Sequence, residues 1–503
     1  MLLADVVATS AQVGATRSRK TKIAALRDLL RAVEVTELAA VVGWLVGEPR
    51  QGRLGIGWRT LSDIPTGVAA EPWATIGWVD GQLSALAGTS GTGSSSRRRA
   101  LLVELFAAVS DDERDFLIRL LTGELRQGAL EGLMVEALAA AAELPVDPVR
   151  RAFMFSGRLT DTAVTARTGG AAALADIRLT VGRPVRPMLA SPAESLEAAH
   201  TDLGADVVVE FKLDGARIQV HRDGDHVTIY TRTLRDITSG VGELVDLVRA
   251  LPCRSVVLDG ETLALTDFGR PRPFQETMSR FGSASGDLLL HPYFFDCLHL
   301  DGTDLVDETL QTRLDALAEV AGPHLIPSIR RPDAGQLTDH FDAAIDAGHE
   351  GVMIKDLTSV YAAGRRGKAW QKVKPEHTVD LVVLGVEWGY GRRTGLLSNL
   401  HLGARDPDGG PPVMVGKTFK GLTDELLAWQ TEEFPRHETH RDRTTVYLRP
   451  EIVVEIELDG VQTSSRYPGG VALRFARVLR YRPDKTAAQA DTIEAVRSLL
   501  PGG

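Results

Sequence analysis

The stretch Glu210-Phe-Lys-Leu-Asp-Gly-Ala-Arg217 gathers a lysine, two carboxylates and an arginine into one short segment. A lysine amine is a nucleophile only when neutral. Its ordinary pKa is roughly 10.4, so a site that uses Lys212 must supply desolvation or neighbouring cations. The chemistry such a lysine suits is attack on phosphorus at the α-phosphate of a nucleotide. Taken alone, Lys-x-Asp-Gly-x-Arg is short, and a surface lysine beside a hairpin turn has the same pattern. Both readings stand until the rest of the chain is considered.

Val207-Val208-Val209 is a β-branched run, and Ile218, Val220 and His221 continue an extended pattern beyond the motif. Asp214-Gly215 is therefore expected to turn two strands into each other as a hairpin. Lys212 then lies at a strand end facing a cleft, with Glu210 on the same face two residues earlier. Upstream, residues 1 to about 180 read as helical: Lys20 to Val33, Asp115 to Leu121 and Ala129 to Ala142 carry apolar residues at helical spacing. Gly88 to Arg99 is Ser- and Gly-rich with a basic end and reads as a flexible loop. The Pro-rich segment Gly182 to Ala190 reads as a linker. From there to residue 376 strands alternate with helices, such as Gly242 to Leu251 and Leu310 to Ala321. Beyond 377 strands dominate: Asp380 to Val386, Val413 to Phe419 and Glu451 to Leu458, as in a small barrel. The expected domains are 1–185, 186–376 and 377–503.

The length of 503 residues accommodates about three domains. Cys253 and Cys297 are separated, so neither a zinc quartet nor a disulfide framework is implied, and a reduced, cytoplasmic setting is expected. No secretory signal is evident, and the apolar stretch Leu38 to Val46 is too short to span a bilayer. The formal net charge of −10 argues against a surface that is basic throughout. Distribution matters more than the total: Arg466 to Lys485 holds six basic residues against one acidic. Arg17 to Lys22 and Arg97 to Arg99 are further basic runs that either meet a phosphate backbone or are merely solvated.

Downstream of Lys212 come Thr231-Arg-Thr-Leu-Arg-Asp-Ile-Thr238, Leu258-Asp-Gly-Glu261, Tyr293-Phe-Phe-Asp296, Glu350-Gly-Val-Met-Ile-Lys355, Ala369-Trp-Gln-Lys-Val-Lys-Pro375 and Leu473 to Lys485. Their order and spacing resemble the collinear motifs of covalent nucleotidyltransferases, most closely the ATP-dependent DNA ligases of bacterial B type. The resemblance spans about residues 185 to 486. The helical N-terminal part is more loosely similar to the DNA-binding domain of such ligases. The fold it implies is multidomain: an all-α N-terminal domain, an α+β nucleotidyltransferase (ATP-grasp-like) domain and a C-terminal all-β OB-fold barrel.

The resemblance assigns roles residue by residue. Lys212 would become the lysyl-AMP, and Glu210 would accept a hydrogen bond from the adenine amino group. Arg217 and Arg232 would hold ribose and phosphate through their planar forks. Phe295 would stack on adenine, although its neighbour Phe294 competes for the cleft-facing position. Glu261 would face the ribose or a metal, and Glu350 would join it in holding Mg²⁺, with Mn²⁺ accepted in its place. Lys372 and Lys374 alternate along a strand, and two like charges on one face call for an anion such as a triphosphate between them. Arg366 would add a phosphate contact, with Arg365 competing for its register. Arg482, Asp484 and Lys485 belong to the motif of the closing domain. Thr233 departs from the asparagine frequent in the family.

The implied reaction is ATP-dependent sealing of nicks in duplex DNA by a monomer that encircles its substrate, in replication, repair and recombination. An NAD-dependent ligase would normally carry a four-cysteine zinc module. An RNA-capping enzyme or RNA ligase usually lacks a helical domain in front. A non-catalytic nick-binding protein would have lost the lysine or the carboxylates.

Overall fold

The computed structural model describes residues 1–500 apart from 53, 58–59, 62, 65–68, 70–72, 126–130, 268, 273, 282–287, 364–365 and 391–392, and apart from the side chains of Gln275 and Arg366. The N-terminal part is helical, including Leu3–Ala15, Arg19–Ala32, Val35–Val46, Asp111–Thr122, Glu131–Ala141 and Val146–Ser156. Their apolar stripes close on one core around Trp44, Phe106, Phe116 and Phe153. Local chemistry sets the starts: Ser110 and Glu113 form a reciprocal capping box, and Ser18 caps the second helix through Thr21 N–H.

The segment 88–99 is not a loop throughout. One helix, Ile76–Gly88, ends there and another, Ser94–Ala107, begins inside the Ser-rich run. Arg98 gives this turn its reason to order: its guanidinium donates to the Leu86 carbonyl at 2.8 Å and to that of Leu54. Arg97 donates to the carbonyls of Thr92 and Ser90. These arginines serve the fold by satisfying loose carbonyls at and beyond a helix end.

The central part holds two five-stranded sheets. One runs β1-β10-β9-β2-β8, with β1 Leu189–Pro192, β2 Val207–Phe211, β8 Ser328–Arg330, β9 Val352–Asp356 and β10 Arg366–Val373. The other runs β4-β3-β5-β6-β7, with β3 Ala216–Asp223, β4 His226–Thr231, β5 Ser255–Ala264, β6 Leu290–Leu300 and β7 Thr303–Asp304. β2 and β3 therefore lie in different sheets, and the expected hairpin at Asp214-Gly215 does not form. Lys212 to Gly215 is instead the crossing between the sheets. Alternating residues with a turn between them do not reveal whether the flanking strands pair with each other or with others.

In the C-terminal part, β11 His377–Trp388 is long enough to pair with β12 Leu397–Ala404 along one edge, and with β16 Val453–Leu458 and then β15 Thr445–Leu448 along the other. β13 Val413–Thr418, β14 Glu438–Arg441 and β19 Arg477–Tyr481 complete this sheet. A separate hairpin, β17 Gly460–Thr463 with β18 Val471–Arg474, packs on the sheet's core through Val461 and Val471. The domain is not purely β: helices Asp424–Glu433 and Ile493–Arg497 pack on its core through Leu427 and Val496. Cys297 is buried and Cys253 half-buried, both as free thiols. Among the described residues no helix is long and apolar enough to cross a membrane.

Candidate active site

A cleft of about 1700 Å³ opens where the two sheets meet, and turns of the helical part such as 46–50, 120–123 and 157–160 form its far wall. Val207 and Val209 point away from it into a core with Leu337 and Ile354. Glu210, on the opposite face of β2, and Lys212, just beyond its end, line the cleft as their spacing predicts. The crossing is fixed by backbone bonds: Lys212 N–H donates to Gly351 O at 2.7 Å, and Glu350 N–H donates to Lys212 O at 2.9 Å. Gly351 has a φ of 132°, and a Cβ there would meet Val373 O at 2.2 Å, so only glycine fits. Gly215 is needed for close approach, since a Cβ would lie 2.5 Å from Thr262 O and 2.8 Å from Glu261 Cγ.

Lys212 is ion-paired with Glu350, whose Oε2 also takes Lys374 Nζ at 2.9 Å. Burial pushes the Glu350 carboxyl up, but Lys212 and Lys374 outweigh it and hold it down at about 2. Among the described residues Glu261 has no ion-pair partner so close, and burial pushes it up to about 7 against the pull of Lys212 and Arg217. Lys372 lines the cleft without an ion-pair partner among the described residues, and burial together with Lys374 and Lys212 lowers its pKa. Lys374 behaves oppositely. Burial lowers it, yet Glu350 and Asp459 raise it overall. The two lysines thus divide, one free in the cleft and one bound at its edge.

Deeper in, Glu210 is 1 % exposed and pairs with Lys355 Nζ at 2.5 Å. Burial raises the Glu210 pKa against the pull of Lys355. Among the described residues its Oε1 has no hydrogen-bond partner, and neither has Trp370 Nε1. Buried polar atoms are seldom left so without a ligand to meet them. Lys355 Nζ lies 4.3 Å from the Phe295 ring centroid and 4.2 Å from that of Trp370, a cation held between two π faces. Phe295 is the member of its pair that reaches the cleft, and Phe294 is packed in the core behind it.

Arg217 lines the cleft, but its fork is engaged: Nε and Nη2 grip Asp259 at 3.0 and 2.5 Å, and Nη1 donates to Met188 O at 2.7 Å. Arg232 and Thr233 lie at the cleft after β4, with Arg232 exposed. Arg366 opens β10, its side chain lies outside the described atoms, and Arg365 lies outside the described residues. Arg482, Asp484 and Lys485 are not at the cleft. Arg482 grips Asp484 at 2.7 Å and reaches Asp380 at 3.2 Å, and Lys485 also pairs with Asp380. Arg482 holds Asp484 down at about 2.

Other residues of the C-terminal part reach the site in their place. Arg474 bonds Asp214 at 2.7 Å and Glu350 at 3.2 Å, and Asp459 takes Lys374 at 2.9 Å. Motif order gave no notice of either. Lys355 was within sight, because a lysine ending the apolar strand Val-Met-Ile-Lys requires a buried counter-charge, and Glu210 is the acid in the neighbouring apolar strand.

Three family models match the chain: "DNA ligase N terminus" over residues 65–139, "ATP dependent DNA ligase domain" over 187–374 and "ATP dependent DNA ligase C terminal region" over 393–485. A "Probable DNA ligase" of Rhodococcus jostii (strain RHA1) is 71% identical over 503 residues, covering 100% of both chains. The chain belongs to the ATP-dependent DNA ligase family. A "Probable DNA ligase" of Nocardia farcinica (strain IFM 10152) is 64% identical over 523 residues, again across 100% of each. The solved structure "Pmar-Lig_PreS3" superposes with a TM-score of 0.63 at 17% identity, covering 95% of this chain and 99% of that one. That likeness is one of fold. The ligase fold is accordingly three-part: helical, ATP-grasp-like nucleotidyltransferase, and β-rich OB-type barrel. This ligase forms phosphodiester bonds with ATP as its energy source.

Proposed function

We propose that the protein seals nicks in duplex DNA, joining a 3′-hydroxyl to a 5′-phosphate through AMP carried on Lys212. The observation that carries this reading is the crossing Lys212–Gly215, which sets a lysine beside a buried acceptor, Glu210 Oε1, and an aromatic face, Phe295, in one cleft. Adenine fits that pair by stacking and by donating its amino hydrogen. Lys212 Nζ forms a bond to the α-phosphorus while the bond to the pyrophosphate oxygen breaks. Lys372 and Arg232 supply cations to the departing phosphates, and an incoming triphosphate relieves the repulsion among Lys212, Lys372 and Lys374. AMP then passes to the 5′-phosphate as the P–N bond breaks. The 3′-hydroxyl attacks that activated phosphate and AMP leaves.

Among the described residues no three His, Cys, Asp or Glu side chains group to hold a metal by themselves. Glu261 and Glu350 fit the manner in which Mg²⁺ binds through one or two carboxylates and completes its shell with phosphate oxygens and water. They would hold Mg²⁺ (or Mn²⁺), which neutralises phosphate charge when bound. We take 1–185, 186–376 and 377–503 as the domains, with Arg366 a phosphate contact and Arg482, Asp484 and Lys485 acting over the cleft in another domain arrangement. A cytoplasmic monomer that encircles duplex DNA in replication, repair and recombination completes the reading.

A pulse of ATP labelled at the α-phosphate, chased with unlabelled nicked duplex, tests it. Label on Lys212 that leaves as AMP while the nick closes supports the proposal. Label that forms but never reaches DNA would point to an RNA acceptor, and absence of label with ATP would overturn the reading.

A further inference from the structure

β3 puts Ile218 and Val220 into the core on one face and Arg217, Gln219 and His221 on the other. At Gln219 and His221 that second face does not meet solvent. It holds the chain segment that joins the helical part to the sheets, at points three residues apart. Gly182 N–H donates to His221 Nδ1 at 3.1 Å, and Val185 N–H donates to Gln219 Oε1 at 2.7 Å. Gln219 Nε2 returns a bond to Val185 O at 3.1 Å, and Arg217 takes Met188 O. Tyr230 O–H donates to Gly182 O at 2.6 Å, and Met188 N–H donates to Tyr361 Oη at 3.0 Å.

Gln219 is 4 % exposed and His221 1 %. Because His221 Nδ1 accepts, Nε2 carries the proton and donates to Gln219 Oε1 at 2.9 Å. The imidazole is therefore neutral, as its burial also demands. The same segment is tied on its other side to the helical part. Arg186 N–H donates to Met154 O at 2.9 Å, and its guanidinium meets Glu131 at 2.5 Å and stacks 4.5 Å from the Phe153 centroid. The opposite junction, between β10 and β11, is only residues 374–376.

We propose that Gln219 and His221 are positioning residues for nick joining. They weld the helical part to the nucleotidyltransferase sheets, so that both walls of the cleft meet DNA as one body. The proposal rests on the reading that the protein seals nicks in duplex DNA, with the nick brought to the nucleotide at that cleft. The strand that carries Arg217 into the site thus also sets the opposite wall, while rearrangement is left to the C-terminal junction. An interior so closely hydrogen-bonded tolerates little slack, and a misplacement of about 1 Å far from the chemistry can cost a hundredfold in rate.

The test compares the full-length enzyme with Gln219→Leu and His221→Phe, which keep bulk and lose the bonds, and with His221→Gln, which retains a donor and an acceptor. Three readouts are taken: lysyl-AMP formation from labelled ATP, the KM for nicked duplex in sealing by pre-adenylated enzyme, and the distance between probes on the helical and central parts. We expect adenylation within about twofold, a KM raised about tenfold and a broadened distance distribution, with His221→Gln restoring most of both. Unchanged KM and distance, or a loss of adenylation equal to the loss of sealing, would overturn the proposal. If the core variants do not fold, Tyr230→Phe removes one bond of the same clasp and is judged by the same readouts. Wild-type enzyme that forms lysyl-AMP but seals no nick would overturn the proposed function instead, which keeps the two failures apart.

Discussion

Arg474 closes its fork on Asp214, two residues beyond the nucleophile, at 2.7 and 3.2 Å, and the same guanidinium touches Glu350 at 3.2 Å. One side chain of the C-terminal domain thereby clasps two of the carboxylates around Lys212. Arg474→Ala should loosen this docking. Small-angle scattering should show an expanded particle, lysyl-AMP formation should not slow, and sealing should fall on the order of tenfold, about 1.4 kcal/mol. A variant as compact as the wild type would show that the docking does not depend on Arg474.

Lys212→Arg keeps a cation for Glu350 but replaces an amine with a guanidinium that does not deprotonate. Covalent label from ATP should vanish while the melting temperature stays within about 1 °C, a shift that corresponds to about 1 kcal/mol for a chain of this length. Residual label would move the nucleophile elsewhere.

Glu210 and Lys355 are a buried ion pair, so breaking it from one side costs more than replacing it. Lys355→Met should destabilise the protein by about 3–5 kcal/mol in urea unfolding, because Glu210 is left buried and unpaired. Adding Glu210→Gln should recover at least about 1 kcal/mol of that loss. Additive losses in the double variant would refute the coupling.

Gly215→Ala places a methyl group against Thr262 O and Glu261 Cγ. The crossing must shift, at a cost of about 1–3 kcal/mol in thermal or denaturant unfolding. Adenylation should suffer while affinity for nicked duplex, read by gel shift, stays within about twofold of wild type.

On the barrel, burial pushes the Glu387 carboxyl up, but hydrogen bonds from Lys417, His401 and Asn399 prevail and hold it at about 2, below its ordinary 4.5. A lowered folded pKa contributes stability above the unfolded value, and that stability is lost as pH falls through the folded one. Wild type should exceed Glu387→Gln by about 1 kcal/mol above pH 5, given the partial exposure of the group. The gap should close between pH 4.5 and 2, as followed by unfolding at each pH.

Most of the cleft was legible because its chemistry is concentrated in short motifs: Lys212, Glu210, Glu261, Phe295 and Lys372 all line it. Helices with strong periodicity were equally plain, as in Leu310–Ala321. What sequence hid were relations between distant segments. Nothing local to Asp214 announces Arg474, 260 residues away. The basic run that contains Arg474 was visible, but which member turns inward is decided by the alternation of β18. The mistaken hairpin and the mistaken loop share this cause. Strand partners are chosen across sheets, and Arg98 orders its turn through carbonyls that only the fold brings near.

Lys374 sits in the three-residue junction before β11 and holds Glu350 on one side and Asp459 on the other. Any swing of the C-terminal domain carries away Asp459 and Arg474 together, one negative and one positive charge. The net charge at the site is then conserved while its placement changes: Glu350 loses a cation just as Lys374 loses its competing carboxylate. Lys374 can then turn wholly to Glu350, which offsets the departed Arg474 there. Domain posture is in this way written into the active site as a redistribution of ion pairs, with its total held constant.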